Sequence, residues 1–187
     1  MNIIRPATPE DAAATVPLIL DAIQDIGYQL TGAATHEEAV ERLTYFFTRE
    51  GNRLSYEHVL VKVLDRQIAG MILCYHGQHA KAIDQPLLDR LHELLPDREA
   101  VLDQEADEDE YYIDALAVSP QWKGRGIGTE LISAAEQAAR QQCYCKIALN
   151  VEQSNTRAQA LYQRLGYETD KHRTIHGKRY DHMVKML

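Results

Sequence analysis

Two stretches near the start of the chain carry apolar residues at the period of an amphipathic helix. In the first, Thr8-Pro9 supplies a capping hydroxyl and an initiating proline, and apolar residues then recur at spacings of three and four. Pro17 lies inside this stretch and is expected to kink or interrupt the helix, because proline cannot donate to the preceding turn. The second stretch begins with the capping box Thr35-x-x-Glu38. The pattern therefore predicts two helices before residue 50.

Runs rich in β-branched and aromatic residues predict the strands. Asp65-Arg66 and His176-Gly177 are short turns with such runs on both sides, which predicts two antiparallel hairpins. No repeat or linker interrupts the chain, so we expect one mixed α/β domain over residues 1–187. Strands are predicted at residues 2–5, 56–64, 67–76, 111–118 and 146–151 and on both sides of His176-Gly177. Further helices are predicted at residues 84–95, 128–142 and 155–165, the last with Gly166 as its C-terminal cap.

The composition is that of a chain with one hydrophobic core in water. Of the 187 residues, 45% are hydrophobic and 26% are charged, which suits one domain and is short for two. No apolar run approaches the roughly 20 residues of a membrane span, and the N-terminus lacks the features of a signal peptide. We therefore expect a cytoplasmic protein without membrane association. Cys74, Cys143 and Cys145 should be reduced, and no histidine near the C-x-C pair completes a zinc site, so no metal is expected.

Acidic residues exceed basic ones and are concentrated in one segment. The formal net charge is -8, and the concentrated basic face that nucleic-acid binding needs does not occur. Residues 103–110, DQEADEDE, contain no cation and end a polar stretch that runs from about 78 to 110. Such a run is ordinarily a solvated loop. Its field could instead attract a cationic substrate.

The segment QWKGRGIGT, residues 121–129, places three glycines and two cations between a predicted strand and a predicted helix. A nucleoside-triphosphate loop needs lysine and then serine or threonine after its last glycine, but threonine and glutamate follow Gly128. A dinucleotide-binding loop needs a glycine at position 129 and opens its fold, so it matches only in part. A pyrophosphate held by backbone amides at the helix N-terminus, with Lys123 and Arg125 adding charge, accounts for every feature.

Two motifs together resemble those of the GNAT superfamily of N-acetyltransferases. Residues 121–128, QWKGRGIG, are similar to its acyl-coenzyme A loop, in which glutamine or arginine is followed by two residues and then by Gly-x-Gly or Gly-x-Ala. Asn155, Ala158 and residues 161–167, LYQRLGY, are similar to its second signature, and the resemblance covers residues 111–167. It implies an α/β (α+β) fold with a mixed, mostly antiparallel sheet of about seven strands, flanked by helices and splayed between its two central strands. It also implies acetyl-coenzyme A (acetyl-CoA) as cosubstrate.

The resemblance further implies roles for positions of this sequence. The strand that ends in Leu116-Ala117-Val118 should carry a bulge and part from strand 146–151, so that the pantetheine arm lies in the gap. The amide of Leu116 or Val118 would then polarise the thioester carbonyl. Asn155, Ala158 and Tyr162 share one face of their helix. The residues implied to contact the cofactor are Leu116, Ala117, Val118, Lys123, Gly124, Arg125, Gly126, Ile127, Gly128, Thr129, Asn155, Ala158 and Tyr162.

The implied reaction is direct acetyl transfer to a primary amine in a ternary complex, without a covalent enzyme intermediate. An amine with a pKa of about 10 is protonated at neutral pH, so a base must remove a proton before attack. Glu110 and Asp114 are the candidate bases, and Tyr162 is the candidate acid for the leaving thiolate. The stretch 78–110 is longer than the turn usual in the family and is expected to border a cationic acceptor. A non-catalytic acyl-CoA sensor is the alternative, and exposed strands near the C-terminus could pair two copies into a homodimer.

Overall fold

A seven-stranded, mostly antiparallel sheet forms the centre of the protein in a computed structural model, which describes residues 2–97 and 100–187. The strands are β1 (Asn2–Pro6), β2 (Val59–Leu64), β3 (Gln67–His76), β4 (Tyr111–Val118), β5 (Lys146–Glu152), β6 (Glu168–Ile175) and β7 (Lys178–Met186). Their spatial order is β1-β2-β3-β4-β5-β7-β6, and β4 with β5 is the parallel pair. The fold class predicted from the resemblance is confirmed.

Helices cover both faces of this sheet, because consecutive strand residues point to opposite faces. They are α1 (Ala12–Ile23), α2 (Asp25–Thr31), α3 (His36–Phe47), α4 (Ala80–Leu94), α5 (Ile127–Gln141) and α6 (Thr156–Arg164). On β3, Met71 and Leu73 pack into the core that α1 to α4 cover, whereas Ile72 packs into the core under α5. Within the described part of the chain, none of the helices has the length and apolar character that crossing a bilayer requires.

The first helix differs from its prediction at its proline. Helix α1 continues across Pro17, and the break comes later, at Gln24, whose φ of 49° separates α1 from α2. Pro17 and Ala13 are both exposed. Water can therefore solvate the Ala13 carbonyl, which loses its helical donor to the proline, and the helix need not end there.

The turns and caps predicted from the sequence are confirmed. Asp65 and Arg66 both have positive φ, at 47° and 66°, as the two central residues of a type I′ hairpin turn require. His176-Gly177 closes the second hairpin in the same way. Helix α6 ends at Gly166, where the Tyr167 amide donates to the Tyr162 carbonyl at 3.0 Å, the longer bond of a Schellman motif.

A bulge in β4 and the early end of its pairing with β5 are also confirmed. The register of β3 with β4 shifts so that Ala115 faces Leu73 and Ile113 faces Cys74, which leaves Asp114 as the extra residue. Among the described residues, β4 pairs with β5 only from Tyr111 to Ile113. Beyond Ile113, backbone groups of β4 that point toward β5 are free to bind something else.

The polar stretch 78–110 is part of the core rather than an appendage. Its helix α4 buries Ile83 and Leu87 on the side of the sheet that α1 to α3 cover. The Arg53 amide, in the loop before β2, donates to the Ile83 carbonyl at 2.9 Å. Residues 98 and 99, which belong to this stretch, lie outside the described residues.

The acidic segment 103–110 is paired and partly buried, which corrects the prediction of a solvated loop. Glu105 and Glu110 are 8% and 0% exposed. Arg173 and Lys171, both on β6, form ion pairs with Asp107, at 2.6 Å for Arg173. Burial alone would raise the pKa of Asp107, but these two cations outweigh it and lower that pKa. The segment has no cation of its own, and the fold supplies cations from strands later in the chain.

Candidate functional site

A cleft of about 340 Å³ opens where β4 and β5 part. Its walls come from α1, α2, β4, β5, α6 and the hairpin of β6 and β7. The volume lies in the range of small-molecule sites. Charged and polar residues are frequent in the lining, among them Asp25, Arg53, Glu105, Asp114, Asn150, Glu152, Asn155, Tyr162 and Lys178.

The strand end predicted to contact a cofactor divides between the cleft and the two cores. Leu116 lines the cleft. Val118 packs into the core under α5, and Ala117 packs on the opposite side of the sheet. A side-chain carbon at Gly128 would lie 3.9 Å from Val118 and 4.0 Å from Leu116. The first turn of α5 therefore packs directly on the end of β4, beside the cleft.

The glycine loop holds the backbone open at the N-terminus of α5. Gly124 and Gly126 have φ of 78° and 80°, and a side-chain carbon at either would meet nothing within 4 Å among the described residues. Gly126 is the N-cap residue and has no side chain to occupy the first amides of the helix. Ile127 is 3% exposed and packs in the core, so only its backbone is available to a ligand.

The cations of this loop are exposed, as anion binding requires. Lys123, Arg125 and Thr129 are all exposed. The Arg125 guanidinium lies 4.8 Å from the centroid of the Trp122 ring, in a cation–π contact. The loop thus combines free amides, a helix N-terminus and positive charge at one point.

Helix α6 presents the three residues of the second motif to the cleft. Asn155, Ala158 and Tyr162 all line it, and no residue of α6 is fully buried. Asn155 is the N-cap, and its Oδ1 accepts from the Ala158 amide at 3.1 Å. The polar contact predicted for this side chain would therefore share that oxygen with the cap. The surrounding apolar groups desolvate the half-buried Tyr162 phenol and raise its pKa to about 12.

Glu110, one of the two candidate bases, lies outside the cleft lining. Its Oε1 accepts from the Asp107 amide at 2.9 Å and lies 3.2 Å from His182 Nε2. Both side chains are 0% exposed. Glu110 closes the acidic segment onto β7, and we do not retain it as a base.

Asp114, the other candidate, is in the cleft but bound to a buried arginine that the sequence analysis missed. Arg53 is 2% exposed and forms a bidentate pair with Asp114, at 2.7 and 2.8 Å. Glu105 accepts from the same guanidinium at 2.6 Å, and Asp84 lies 3.6 Å from it. Desolvation alone would lower the pKa of Arg53, but the pairs with Asp114 and Glu105 outweigh it and raise that pKa.

Three carboxylates around one guanidinium leave an excess of negative charge. Burial raises the pKa of Asp84 to about 6, and Arg53 offsets this only in part. Burial likewise raises the pKa of Glu105, again with partial compensation from Arg53. Asp84 Oδ1 is buried and finds no hydrogen-bond donor in residues 2–97 or 100–187. The cluster therefore favours retaining a proton at mildly acidic pH.

A closed set of hydrogen bonds links this cluster to β5. Tyr112 donates to Glu105 Oε2 at 3.1 Å and accepts from Asn150 Nδ2 at 2.9 Å. Asn150 Nδ2 also donates to the Glu105 carbonyl at 3.0 Å. A carbonyl can only accept, so this bond fixes which way the amide faces. Asn150 Oδ1 is then left buried, without a partner among the residues that the structure describes.

The mouth of the cleft carries further acids. Lys178 Nζ lies 3.5 Å from Asp25 and 3.9 Å from Glu152, between α2 and β5. Burial and the neighbouring Glu152 raise the pKa of Tyr180. Among the residues that the structure describes, four carboxylates and two permanent cations line the cleft: Asp25, Glu105, Asp114 and Glu152, with Arg53 and Lys178.

The family model described as the acetyltransferase (GNAT) family matches residues 23–167. A solved structure described as an acetyltransferase has 30% sequence identity and a TM-score of 0.81, over 98% of each chain. A second, an N-acetyltransferase from Staphylococcus aureus Mu50, has 23% identity and a TM-score of 0.77, over 98% of this chain and 100% of that one. The family model and the shared fold define an acyltransferase, and the chain belongs to the GNAT acetyltransferase family.

A shorter match is to a curated protein, the mycothiol acetyltransferase of Kocuria rhizophila, with 37% identity over 54 residues. That match covers 29% of this chain and 18% of the relative. The chain therefore spans less than a fifth of the length of this relative, and the match does not carry its acceptor to this protein.

Replacing Asp84 should change how stability depends on pH. The folded-state pKa of about 6 lies above that of an unfolded aspartate, so the folded state keeps a proton that the unfolded state releases. In the wild type this costs stability as the pH rises from about 4 to about 6. Asp84→Asn removes that cost and should gain about 3 kcal/mol relative to wild type between pH 4 and pH 7.

Urea unfolding at both pH values measures this difference. Asp89→Asn, which alters an exposed carboxylate of the same helix, is the control and should show no comparable change. A constant difference between Asp84→Asn and wild type across the range would contradict the proton assigned to Asp84.

Proposed function

We propose that this protein transfers an acetyl group from acetyl-CoA to the primary amine of a cationic acceptor. The observation that carries this proposal is the position of the cleft. One end opens between β4 and β5 beside the glycine loop, and the other is lined by an excess of carboxylates. A thioester that enters from the loop side and an ammonium that enters from the acidic side would meet in the gap.

The cofactor would be held mainly by backbone. The amides of residues 124–129, with the Thr129 hydroxyl, Lys123 and Arg125, suit the pyrophosphate. The pantetheine arm would then follow the gap beyond Ile113, where strand β4 offers backbone groups that β5 does not use. Asn155 and Ala158 would border it from α6.

The chemistry is a direct attack in a ternary complex. The amine nitrogen forms a bond to the thioester carbon, the carbonyl oxygen gains charge, and the carbon–sulfur bond then breaks. An amide of β4, at Leu116 or Val118, would stabilise the oxygen. Tyr162 would donate a hydrogen bond to the sulfur as it becomes a thiolate.

The phenol of Tyr162 is a weak acid in this setting. Its pKa of about 12 exceeds that of a thiol, which is near 8.5, so full transfer to a free thiolate would be uphill by roughly 5 kcal/mol. A hydrogen bond that strengthens as the sulfur gains charge still lowers the barrier, because it acts more on the transition state than on the substrate. The high pKa also keeps the donor protonated throughout the working pH range.

The charge of the cleft supports a cationic acceptor. Asp25 and Glu152 lie at its mouth, and Glu105 and Asp114 lie inside it. This acidity comes from α2, β4, β5 and residue 105, not from the acidic segment 103–110 as a whole, because most of that segment is bound to lysines and arginines elsewhere. A non-catalytic acyl-CoA sensor remains the second candidate, and it would need neither an acidic cleft nor a hydroxyl donor beside the sulfur.

An amine panel tests the activity. Acetyl-CoA is incubated with the protein and with 1,4-diaminobutane, spermidine, kanamycin or a peptide with a free N-terminal amine, and the release of free thiol is followed. We expect turnover with at least one cationic amine and a KM that rises with ionic strength, because salt screens the carboxylates at the mouth. Acetyl-CoA binding without turnover of any amine would support the sensor instead.

Gly126→Ala should weaken acetyl-CoA binding by about tenfold or more. The new methyl group would occupy the open space where a pyrophosphate approaches the backbone, and the φ of 80° strains a non-glycine residue by about 1–2 kcal/mol. Gly51→Ala is the matched control, since Gly51 has a φ of 73° with similarly open surroundings in the described structure but lies in the loop after α3. Isothermal titration should show equal Kd for Gly51→Ala and wild type; unchanged affinity in Gly126→Ala would mean that the loop is only a turn.

Tyr162→Phe should lower kcat by about 10²-fold while the acetyl-CoA Kd stays close to that of wild type. The change keeps the ring and its contact with Tyr167, at 5.9 Å between centroids, and removes only the donor. Steady-state kinetics and direct titration of the cofactor measure the two quantities separately. Survival of kcat within about threefold would show that the phenol contributes packing alone, since general acid catalysis is worth at least about 10²-fold.

A further inference from the structure

We propose that Glu105 is the base that removes the proton from the acceptor ammonium, and that Asn150 Oδ1 holds the amine in place for attack. This inference rests on the proposed function and deepens it. Glu105 belongs to the acidic segment 103–110, which lies outside the two motifs at residues 121–128 and 155–167. It would therefore be a catalytic group that neither motif identifies.

Asn150 is fixed in a manner that leaves one atom for a ligand. Its Nδ2 is bound on two sides, by the Tyr112 hydroxyl and by the Glu105 carbonyl. Its Oδ1 is buried in the cleft wall and has no partner within the described chain. A buried acceptor without a donor is destabilising, and a substrate N–H would relieve that cost on binding. The atom is an acceptor, so it selects a donor such as an amine.

Glu105 is the carboxylate best placed to act beside Asn150. The two residues are joined through the Glu105 carbonyl and, by way of Tyr112, through the Glu105 carboxylate. Asp114 has both oxygens bound to Arg53 in a bidentate pair. Glu105 accepts a hydrogen bond from Arg53 on one carboxylate oxygen, and its other oxygen accepts only from the neutral Tyr112 hydroxyl. Glu105 Oε2 can therefore take up a proton without breaking a hydrogen bond to Arg53, whereas neither oxygen of Asp114 is free of Arg53.

The ionisable groups around Glu105 come from every neighbouring element, and they leave it able to cycle between its two forms. Arg53, before β2, favours the carboxylate, whereas burial and Asp114 favour the protonated acid, and the pKa is raised. Asp84 on α4 shares the same guanidinium. Among the described residues, three phenols also neighbour Glu105, on β3, β4 and β7: Tyr75, Tyr112 and Tyr180.

The step balances within the site. The acceptor N–H bond breaks, its proton moves to a carboxylate oxygen of Glu105, and the nitrogen lone pair forms the bond to the thioester carbon. The carbon–sulfur bond breaks and its electron pair leaves with the sulfur. The nitrogen loses its second excess proton and the sulfur takes up one proton, so that one proton is released overall. Glu105 returns its proton to solvent after the amide product leaves, so no further reactant is needed.

The test compares Glu105→Gln with wild type across pH, using the amine of the panel that wild type acetylates best. At pH 7 we expect kcat/KM of the variant to fall by about 10²-fold or more, the range for a lost general base. The free-amine fraction rises about tenfold per pH unit below the amine pKa of about 10, and free amine needs no base. The ratio of variant to wild type should therefore rise at least tenfold between pH 7 and pH 9.5.

Two matched variants separate catalysis from structure. Asp84→Asn also removes a carboxylate that faces Arg53, but Asp84 is not part of the cleft lining. The ratio of kcat/KM in this variant to kcat/KM in wild type should therefore not depend on pH above 7. Asp114→Asn should lower kcat/KM, but kcat/KM of this variant should still rise with pH as it does in wild type. The assignment of the base would be overturned if the ratio of kcat/KM in Glu105→Gln to that in wild type did not change with pH. It would also be overturned if Asp114→Asn, and not Glu105→Gln, regained kcat/KM as the pH rose.

Asn150→Leu should raise the amine KM by about tenfold or more with a smaller change in kcat and in acetyl-CoA Kd, the sign of a lost substrate contact. Tyr112→Phe removes one anchor of Asn150 but leaves Oδ1, so its effect on KM should be smaller. Equal effects would overturn the role of Oδ1. If wild type acetylates no amine in the panel, the proposed function fails and the inference falls with it; turnover by wild type with an unchanged Glu105→Gln variant overturns the inference alone.

Discussion

The parting of β4 from β5 is the constraint on which the rest of the site depends. It follows from one extra residue, Asp114, in the pairing of β3 with β4. Side chains along β4 would otherwise alternate between the two cores, but Ile113 and Leu116 share one core with two residues between them. The bulge therefore turns Asp114 and Ala115 toward the same side of the sheet and increases the local twist. As a result, β4 no longer pairs with β5 beyond Ile113. The gap, the exposed backbone and the cleft all result from this shift.

A buried arginine accompanies the bulge. Arg53 pairs with Asp114, and the same guanidinium holds Glu105 from the acidic segment and faces Asp84 from α4. Removing charges from water is costly, and a buried pair is favourable only when its hydrogen bonds are nearly complete. Here three elements distant in sequence converge on one cation. We interpret the cluster as the connection that ties the stretch 78–110 to β4 at its bulge.

The distribution of charge along the sequence differs from the distribution of charge in the folded protein. In sequence the segment 103–110 is an uninterrupted run of acid, but Lys146, Lys171 and Arg173 neutralise much of it from β5 and β6. The carboxylates that line the cleft come mostly from other places, such as Asp25 and Glu152. The run of like charge in the sequence therefore did not indicate which carboxylates line the cleft.

Local signals determined much of this architecture from the sequence alone. The hairpin turns at Asp65-Arg66 and His176-Gly177, the cap at Gly166 and the glycine loop before α5 depend on backbone preferences of a few adjacent residues, and these signals hold wherever the segment lies. The two motifs likewise carried the fold through residues 111–167.

The tertiary structure decided what depends on distant partners. Pro17 did not end its helix, because its exposed position lets water replace the lost bond. Glu110 and Asp114 looked alike as carboxylates near one strand, but Glu110 contacts the buried His182 outside the cleft lining, whereas Asp114 pairs with Arg53 in the cleft. The residues next to Arg53 in the sequence form no motif that would indicate a role for it. Asn150 is a single polar residue within an apolar run. Their importance arises from burial and from partners tens of residues away, and a charge or an amide acquires its chemistry from whatever surrounds it when water is excluded.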